Sequence, residues 1–231
     1  MSSPDDQKRA AGEAAAALVQ SGMVVGLGTG STAAWFVRAL AHRVANERLD
    51  VRGVATSQAT ATLAEVLGIP LLPLNHVEID LTVDGADEIG PGLSLIKGGG
   101  AALLREKLVW EASIRCVVIA DAAKAVKMLG KFALPIEVVA FGHTTTAERI
   151  HEALNWCEIA AEPKLRVKDG SPVKTDGGNY IYDALCKKIA DPALLAEALK
   201  SLTGVVEHGL FLNLADEALI GTDAGVERRT G

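Results

Sequence analysis

The sequence predicts an α/β protein: a Rossmann-like, mostly parallel sheet flanked by helices, with a second, smaller α+β domain. Three observations carry that expectation. Near-continuous apolar runs such as SGMVVGL, IDLTV and RCVVIA alternate with helical stretches, the pattern of parallel strands covered on both faces. Ala, Val, Leu and Gly dominate while aromatics make up only 4% of the 231 residues, as expected where helices pack closely on a sheet. The pattern then changes near LGKFALPIEVV. The expected division is therefore residues 1–129 plus 205–231 for the α/β domain and 130–204 for the small one.

The elements follow in order. DDQKRAAGEAAAALVQ reads as a first helix, with acids in its first turn where the helix dipole favours them. SGMVVGLGTGS is a short strand running into a glycine turn, and TAAWFVRALAHRVANE is again helical, with Ser31 or Thr32 placed to cap it. VRGVA is a second strand, ending in TS before the helix QATATLAEVLG. IPLLPL and IDLTVDGA are further strand candidates, and LSLIK leads into a glycine run and an apolar helix over about 100–112. RCVVIA is another buried strand, followed by DAAKAV. In the small domain, KDG and DGG within LRVKDGSPVKTDGGNYIYD signal antiparallel pairing, and DPALLAEALKSL is a helix. GVVEHGLFLN and EALIGT read as strands returning to the first domain.

Charge and composition exclude several functions. The net charge of −6 comes with no basic run, which disfavours a nucleic-acid groove. The N-terminus lacks an apolar signal core, and no uninterrupted apolar stretch is long enough to span a membrane. Cys116, Cys157 and Cys186 show neither a C-x-x-C pair nor metal-ligand spacing, consistent with reduced thiols. A soluble, cytoplasmic protein is expected, with no nucleic-acid or membrane partner. Glu148, His151 and Glu152 share helical spacing, but a solvated helix edge explains them better than a metal site, because no further ligand pattern accompanies them.

In such folds ligands bind beyond the carboxyl ends of parallel strands, where four motifs are expected to share one crevice. GLGTGST (26–32) is not a dinucleotide fingerprint: Ser31 stands where the third glycine belongs, and the second strand ends in Thr56–Ser57 without an acid. It suits a phosphate cradle of backbone N–H groups and hydroxyls, or a plain strand-to-helix turn. DGADE (84–88) puts Asp84 at a strand mouth, where Asp84 and Asp87 could divide proton chemistry or merely form a turn. LIKGGGAALLREK (95–107) carries three successive glycines, costly in conformational entropy unless the backbone must approach something. Glu106 is the only carboxylate between Ala101 and Trp110, and all its i±3 and i±4 neighbours are apolar. Burial there would raise its pKa toward that of a general base. Arg105 has four apolar neighbours too, so periodicity leaves open which charge faces the site and whether the two form a buried ion pair. Lys124 follows a buried strand, where a phosphate would benefit from its ammonium.

GLGTGSTAAWFV, TVDGADEI, LIKGGGAALLREK, VVIADAAK and LGKFALPIEVV together resemble ribose-5-phosphate isomerase, type A, in matching order across nearly the whole chain. The resemblance implies an aldose–ketose isomerase of the pentose phosphate pathway that needs no cofactor and no metal, and a homodimer. It assigns Glu106 as the proton acceptor. It places Thr29, Gly30, Ser31, Thr32, Asp84, Gly85, Ala86, Asp87, Lys97, Gly98, Gly99, Gly100 and Lys124 in substrate-binding segments. Within these, Lys97 and the glycine N–H groups suit a developing oxyanion, Asp84 the hydroxyl protons, Asp87 ring opening, and the GTGST turn with Lys124 the 5-phosphate. Lys8, in the first helix, is a weaker match for the phosphate. Two rivals are a non-catalytic sugar-phosphate sensor, which leaves Glu106 without a purpose, and an amino-sugar phosphate deaminase or lactonase. The latter would be expected to show a histidine-bearing loop, and no histidine lies near the four motifs.

Overall fold

A computed structural model describes residues 2–231. The first half contains α1 (Pro4–Ala16), β1 (Val24–Leu27), α2 (Ser31–Glu47), β2 (Arg52–Ala55), α3 (Gln58–Val66) and β3 (Leu81–Gly85). Then come β4 (Glu88–Ile89), β5 (Leu95–Ile96), α4 (Leu103–Glu111), β6 (Cys116–Asp121), β7 (Leu134–Val138) and α5 (His143–Trp156). Next are β8 (Pro163–Leu165), β9 (Val167–Lys168), β10 (Ser171–Pro172), β11 (Tyr180–Ala184) and α6 (Pro192–Lys200). The chain closes with β12 (Val205–His208), β13 (Leu210–Phe211), β14 (Glu217–Thr222) and β15 (Gly225–Thr230). No helix among the described residues is long and apolar enough to cross a membrane.

The chain divides into two compact units, residues 1–86, 105–125 and 213–231 in one, and 87–104 and 126–212 in the other. The first is built on a six-stranded sheet in the order β15-β14-β6-β3-β1-β2. Every neighbouring pair from β14 to β2 is parallel, and β15 closes one edge antiparallel. Successive side chains alternate between its faces. Val25, Leu27, Val83 and Ile119 join Ala11 and Ala15 of α1 and Phe36, Val37 and Leu40 of α2 in the main core. Val54, Ile79 and Val109 of α4 form a separate apolar cluster. The expected α/β architecture is present, including the return of EALIGT to this sheet beside β6.

The second unit holds a four-stranded antiparallel sheet, β12-β7-β11-β8, whose core residues Leu134, Ile136, Val138 and Tyr182 pack with Ile150 and Leu154 of α5 and Leu195 and Leu199 of α6. A three-stranded sheet, β13-β5-β4, and the β9–β10 hairpin at KDG complete it.

Four expectations differ from what forms. GVVEHGLFLN does not return to the parallel sheet: β12 pairs with β7 and β13 with β5. Segment 87–104, expected in the large domain, belongs to the second unit, because β4 and β5 pair with each other and β5 with β13. IPLLPL makes only one isolated bridge, Gly53 to Leu71; its two prolines remove ladder donors. The α2 N-cap is Gly30, at φ 106°, with no side-chain cap, so Ser31 is already the first helical residue.

Candidate active site

In the first unit the polar groups gather at the carboxyl edge of the parallel sheet. Register keeps the strand ends level: Leu27 lies beside Ala55 and Val83, Gly85 beside Ile119, and Asp121 beside Gly221. Asp84, near the end of β3, is fully buried. Its Oδ1 accepts the N–H groups of Thr29 (2.9 Å) and Gly85 (2.7 Å). The Thr29 bond fixes the turn after β1 to the end of β3, and the same closeness explains Gly28. A Cβ there would stand 2.2 Å from Asp84 Oδ1 and 2.5 Å from Asp84 Cα.

The turn then enters α2, whose first N–H groups meet no capping side chain. Such a terminus combines unsatisfied donors with the positive end of the helix dipole, a fitting environment for a phosphate. Thr29 Oγ1 lies 2.7 Å from Thr56 Oγ1, 2.8 Å from Ser57 Oγ and 3.1 Å from Thr60 Oγ1. A chain of hydroxyls therefore braces the turn against the loop after β2. Lys124 ends a short 3₁₀ turn directly after β6, where Asp121 Oδ1 accepts the Ala123 N–H at 3.1 Å. Gln7 Oε1 accepts the Ala122 N–H at 3.2 Å, tying α1, the helix of Lys8, to the same turn.

α4 buries to different extents the two charges that periodicity left equivalent. Glu106 is 3% exposed, whereas Arg105 lies at the surface. The buried charge of this helix turn is thus the carboxylate, joined by Lys107 at 8%. Val109 anchors the helix in the apolar cluster with Val54 and Ile79. A Cβ on Gly26 would come within 2.9 Å of Val109 Cγ1, so the strand glycine makes room for the helix.

In the second unit, Asp87, Lys97 and the glycine run come together. The Asp87 N–H donates to Ile96 O at 2.8 Å, and the Lys97 N–H to Gly209 O at 2.9 Å. The Lys97 side chain is 2% exposed, with Nζ 5.3 Å from the Phe211 ring centroid, a cation–π distance. Gly98 takes φ +100°, and the Gly99 N–H donates to Asp87 Oδ2 at 2.8 Å. Glu88 serves the scaffold, since its carboxylate accepts the N–H groups of Gly130 (2.7 Å) and Phe132 (2.6 Å). His151, on the solvated edge of α5, contacts Ala161 O and Asn155.

The predicted residues thus fall into two sets. Thr29–Thr32, Asp84–Ala86, Glu106 and Lys124 lie in the first unit, and Asp87 and Lys97–Gly100 in the second. The structure links Thr29 with Asp84 and Asp87 with Gly99. Sequence reasoning missed the hydroxyls of Thr56, Ser57 and Thr60, although the TS after the second strand was a signal. It also missed Arg166, which donates to the carbonyls of Gly98 and Gly99 from 68 and 67 residues away. No local pattern points to such a partner.

Comparisons with known proteins agree on one family. The model of ribose 5-phosphate isomerase A (phosphoriboisomerase A) matches residues 52–225. A protein named ribose-5-phosphate isomerase A from Caulobacter sp. (strain K31) is 69% identical over 230 residues, 97% of either chain. The structure of ribose 5-phosphate isomerase A from Methanocaldococcus jannaschii superposes with a TM-score of 0.92 at 38% identity, covering 99% of this chain and 100% of that one. A D-ribose-5-phosphate isomerase solved in complex with phospho-erythronic acid gives a TM-score of 0.92 at 37% identity, with both chains covered completely.

Proposed function

Since the chain belongs to the ribose 5-phosphate isomerase A family, we propose that Glu106, Asp84, Asp87 and Lys97 carry the chemistry of that family here. The protein is an aldose–ketose isomerase that interconverts ribose 5-phosphate and ribulose 5-phosphate in the pentose phosphate pathway. The observation that carries the assignment of roles is the burial of Glu106 beside a surface-exposed Arg105. A carboxylate held inside the protein is kept in one place for proton transfer, which suits a general base.

Glu106 takes the proton from C2 of the open-chain aldose. The electron pair moves into an enediol(ate), and the same carboxyl group returns the proton to C1 to give the ketose. Lys97 and N–H groups of the glycine run stabilise the oxyanion, where fixed donors contribute most to lowering the barrier. Asp84, already an acceptor of N–H groups, manages the hydroxyl protons at O1 and O2. Asp87 assists ring opening. The Thr29–Thr32 turn and Lys124 hold the 5-phosphate, with Lys8 carried by the helix that Gln7 ties to the Lys124 turn. The enzyme acts in the cytoplasm as a homodimer, and light scattering on the purified chain checks the latter, a monomer overturning it. Incubation with ribose 5-phosphate, with ketose formation followed over time, tests the function. Ketose must appear at a catalytic rate, and its absence overturns the reading.

A further inference from the structure

Arg166 occupies an unusual position for an arginine outside every motif that pointed to chemistry. One edge of its guanidinium is committed to Asp183: Nε donates to Oδ2 at 2.7 Å and Nη2 to Oδ1 at 2.5 Å. This bidentate arrangement leaves the group little rotational freedom. The side chains are 16% and 26% exposed, so water competes weakly for them. Asp183 lies on β11, paired in register with Pro135 of β7 and Lys164 of β8, so the carboxylate is mounted on the middle of a sheet.

The remaining nitrogen, Nη1, donates to two consecutive carbonyls, Gly98 O at 3.0 Å and Gly99 O at 3.1 Å. Successive carbonyls rarely share a donor, because extended backbone alternates their directions. The two carbonyls can face one donor because the chain turns here: the Ala101 N–H also donates to Gly98 O at 3.0 Å, and Gly98 enters the turn at φ +100°, a conformation that side-chain-bearing residues seldom adopt. Every described peptide is trans, so each carbonyl is antiparallel to the N–H across its own peptide plane. Pulling the carbonyls of Gly98 and Gly99 toward Arg166 therefore turns the N–H groups of Gly99 and Gly100 the other way. The Gly99 N–H indeed meets Asp87 Oδ2 at 2.8 Å. The Gly98–Gly99 peptide is held from both sides, by Arg166 at its oxygen and Asp87 at its nitrogen. A Cβ on Gly99 would stand 2.7 Å from Asp87 Oδ1, which fixes that residue as glycine.

We propose that Arg166, locked by Asp183, is a positioning residue of the isomerase: by fixing both peptides it keeps the Gly99 N–H on Asp87 and aims the Gly100 N–H at the developing oxyanion, without touching substrate. The proposal rests on the assignment of this run to oxyanion stabilisation. Preorganised donors act through their fixed direction, so loosening them raises the barrier more than it weakens ground-state binding. The guanidinium also adds positive charge behind the two carbonyls, which polarises the peptides and strengthens their N–H groups as donors.

The test compares wild type with Arg166→Met, Arg166→Lys and Asp183→Asn. The readouts are kcat and KM for ribose 5-phosphate, the affinities for phospho-erythronic acid and inorganic phosphate, and the melting temperature. Phospho-erythronic acid carries a carboxylate that can sit where the oxyanion forms, whereas inorganic phosphate probes the phosphate cradle alone. In Arg166→Met, kcat should fall about 10- to 100-fold with KM changed less than about threefold. The affinity for phospho-erythronic acid should fall while that for inorganic phosphate stays. Arg166→Lys should recover part of kcat, and Asp183→Asn should lose less than Arg166→Met. Unchanged kcat in Arg166→Met, or equal losses for the two ligands, overturns the proposal. Should Arg166→Met fail to melt cooperatively, the other two variants decide, and wild-type kcat in both overturns it. A wild-type protein that forms no ketose would instead overturn the functional assignment itself.

Discussion

In the first unit, Asp84 and the Thr29 and Lys124 turns stand at or just beyond the ends of β3, β1 and β6, three parallel strands of four to six residues each. In the second, Asp87, Lys97 and the glycine run hang on β4 and β5, strands of two residues each. The parallel sheet positions its site through ladder register, and side chains only trim the result. The glycine run has no such ladder around it and relies on side chains, with Glu88 gripping the Gly130 and Phe132 N–H groups and Arg166 gripping two carbonyls. A polar site can thus be fixed either by many weak repeated backbone bonds or by a few charge-assisted ones.

The largest expected effect breaks the chemistry while leaving either scaffold intact. Glu106→Gln keeps the shape of the buried side chain but cannot accept a proton. Turnover should fall by about 10²–10⁴-fold or more, with little change in KM. Steady-state kinetics on ribose 5-phosphate measure it, and near-normal turnover would remove Glu106 from the role of base.

A smaller effect isolates the register-built region. Gly28→Ala forces a Cβ against both the carboxylate and the backbone of Asp84, at 2.2 Å and 2.5 Å. Backbone in mid-sheet has little room to retreat, so stability should fall by about 1–3 kcal/mol. kcat/KM should drop by about tenfold as Asp84 shifts. Urea melts and kinetics check both, and a variant with unchanged stability would show that the strand end yields more than the ladder implies.

This contrast also explains how much the sequence revealed. The mostly parallel, helix-flanked sheet of the first unit follows from alternating apolar runs and helices, and the turns at Gly28–Thr32, Asp84 and Lys124 were readable because they end those runs. The choice between Arg105 and Glu106 was not, since both have apolar neighbours at helical spacing; the burial of Leu103, Val109 and Trp110 sets the rotation of α4. Arg166 and Asp183 were invisible for a different reason. Their partners are remote in sequence, and an arginine before a turn looks like ordinary surface. GVVEHGLFLN was misassigned because its apolar runs fit either sheet, and pairing with β7 and β5 is a choice among long-range partners that local pattern does not encode.

The smallest expected signal asks whether the two modes of construction differ in resilience. Cys116 lies on β6, between β3 and β14 in the parallel sheet, and Cys186 follows β11 in the small unit. Burial pushes both thiols up to about 12. At pH 8 only about one molecule in 10⁴ therefore carries the thiolate that reacts. Cys157 is half-buried and its thiol is pushed up as well, by burial, yet it remains the most accessible of the three. Iodoacetamide at pH 8 should label the native protein slowly and at Cys157 first, as read by peptide mass spectrometry. Under rising urea, labelling of Cys116 and Cys186 reports the local opening of each unit separately. Cys186 should be labelled at lower urea than Cys116, because it lies just past the end of β11 in a four-stranded sheet, whereas Cys116 sits on β6 inside the six-stranded ladder. Labelling of Cys116 first, or of both together, would mean that the small unit's charge-assisted bonds match the ladder in strength, and the distinction drawn between the two regions would lose its energetic content.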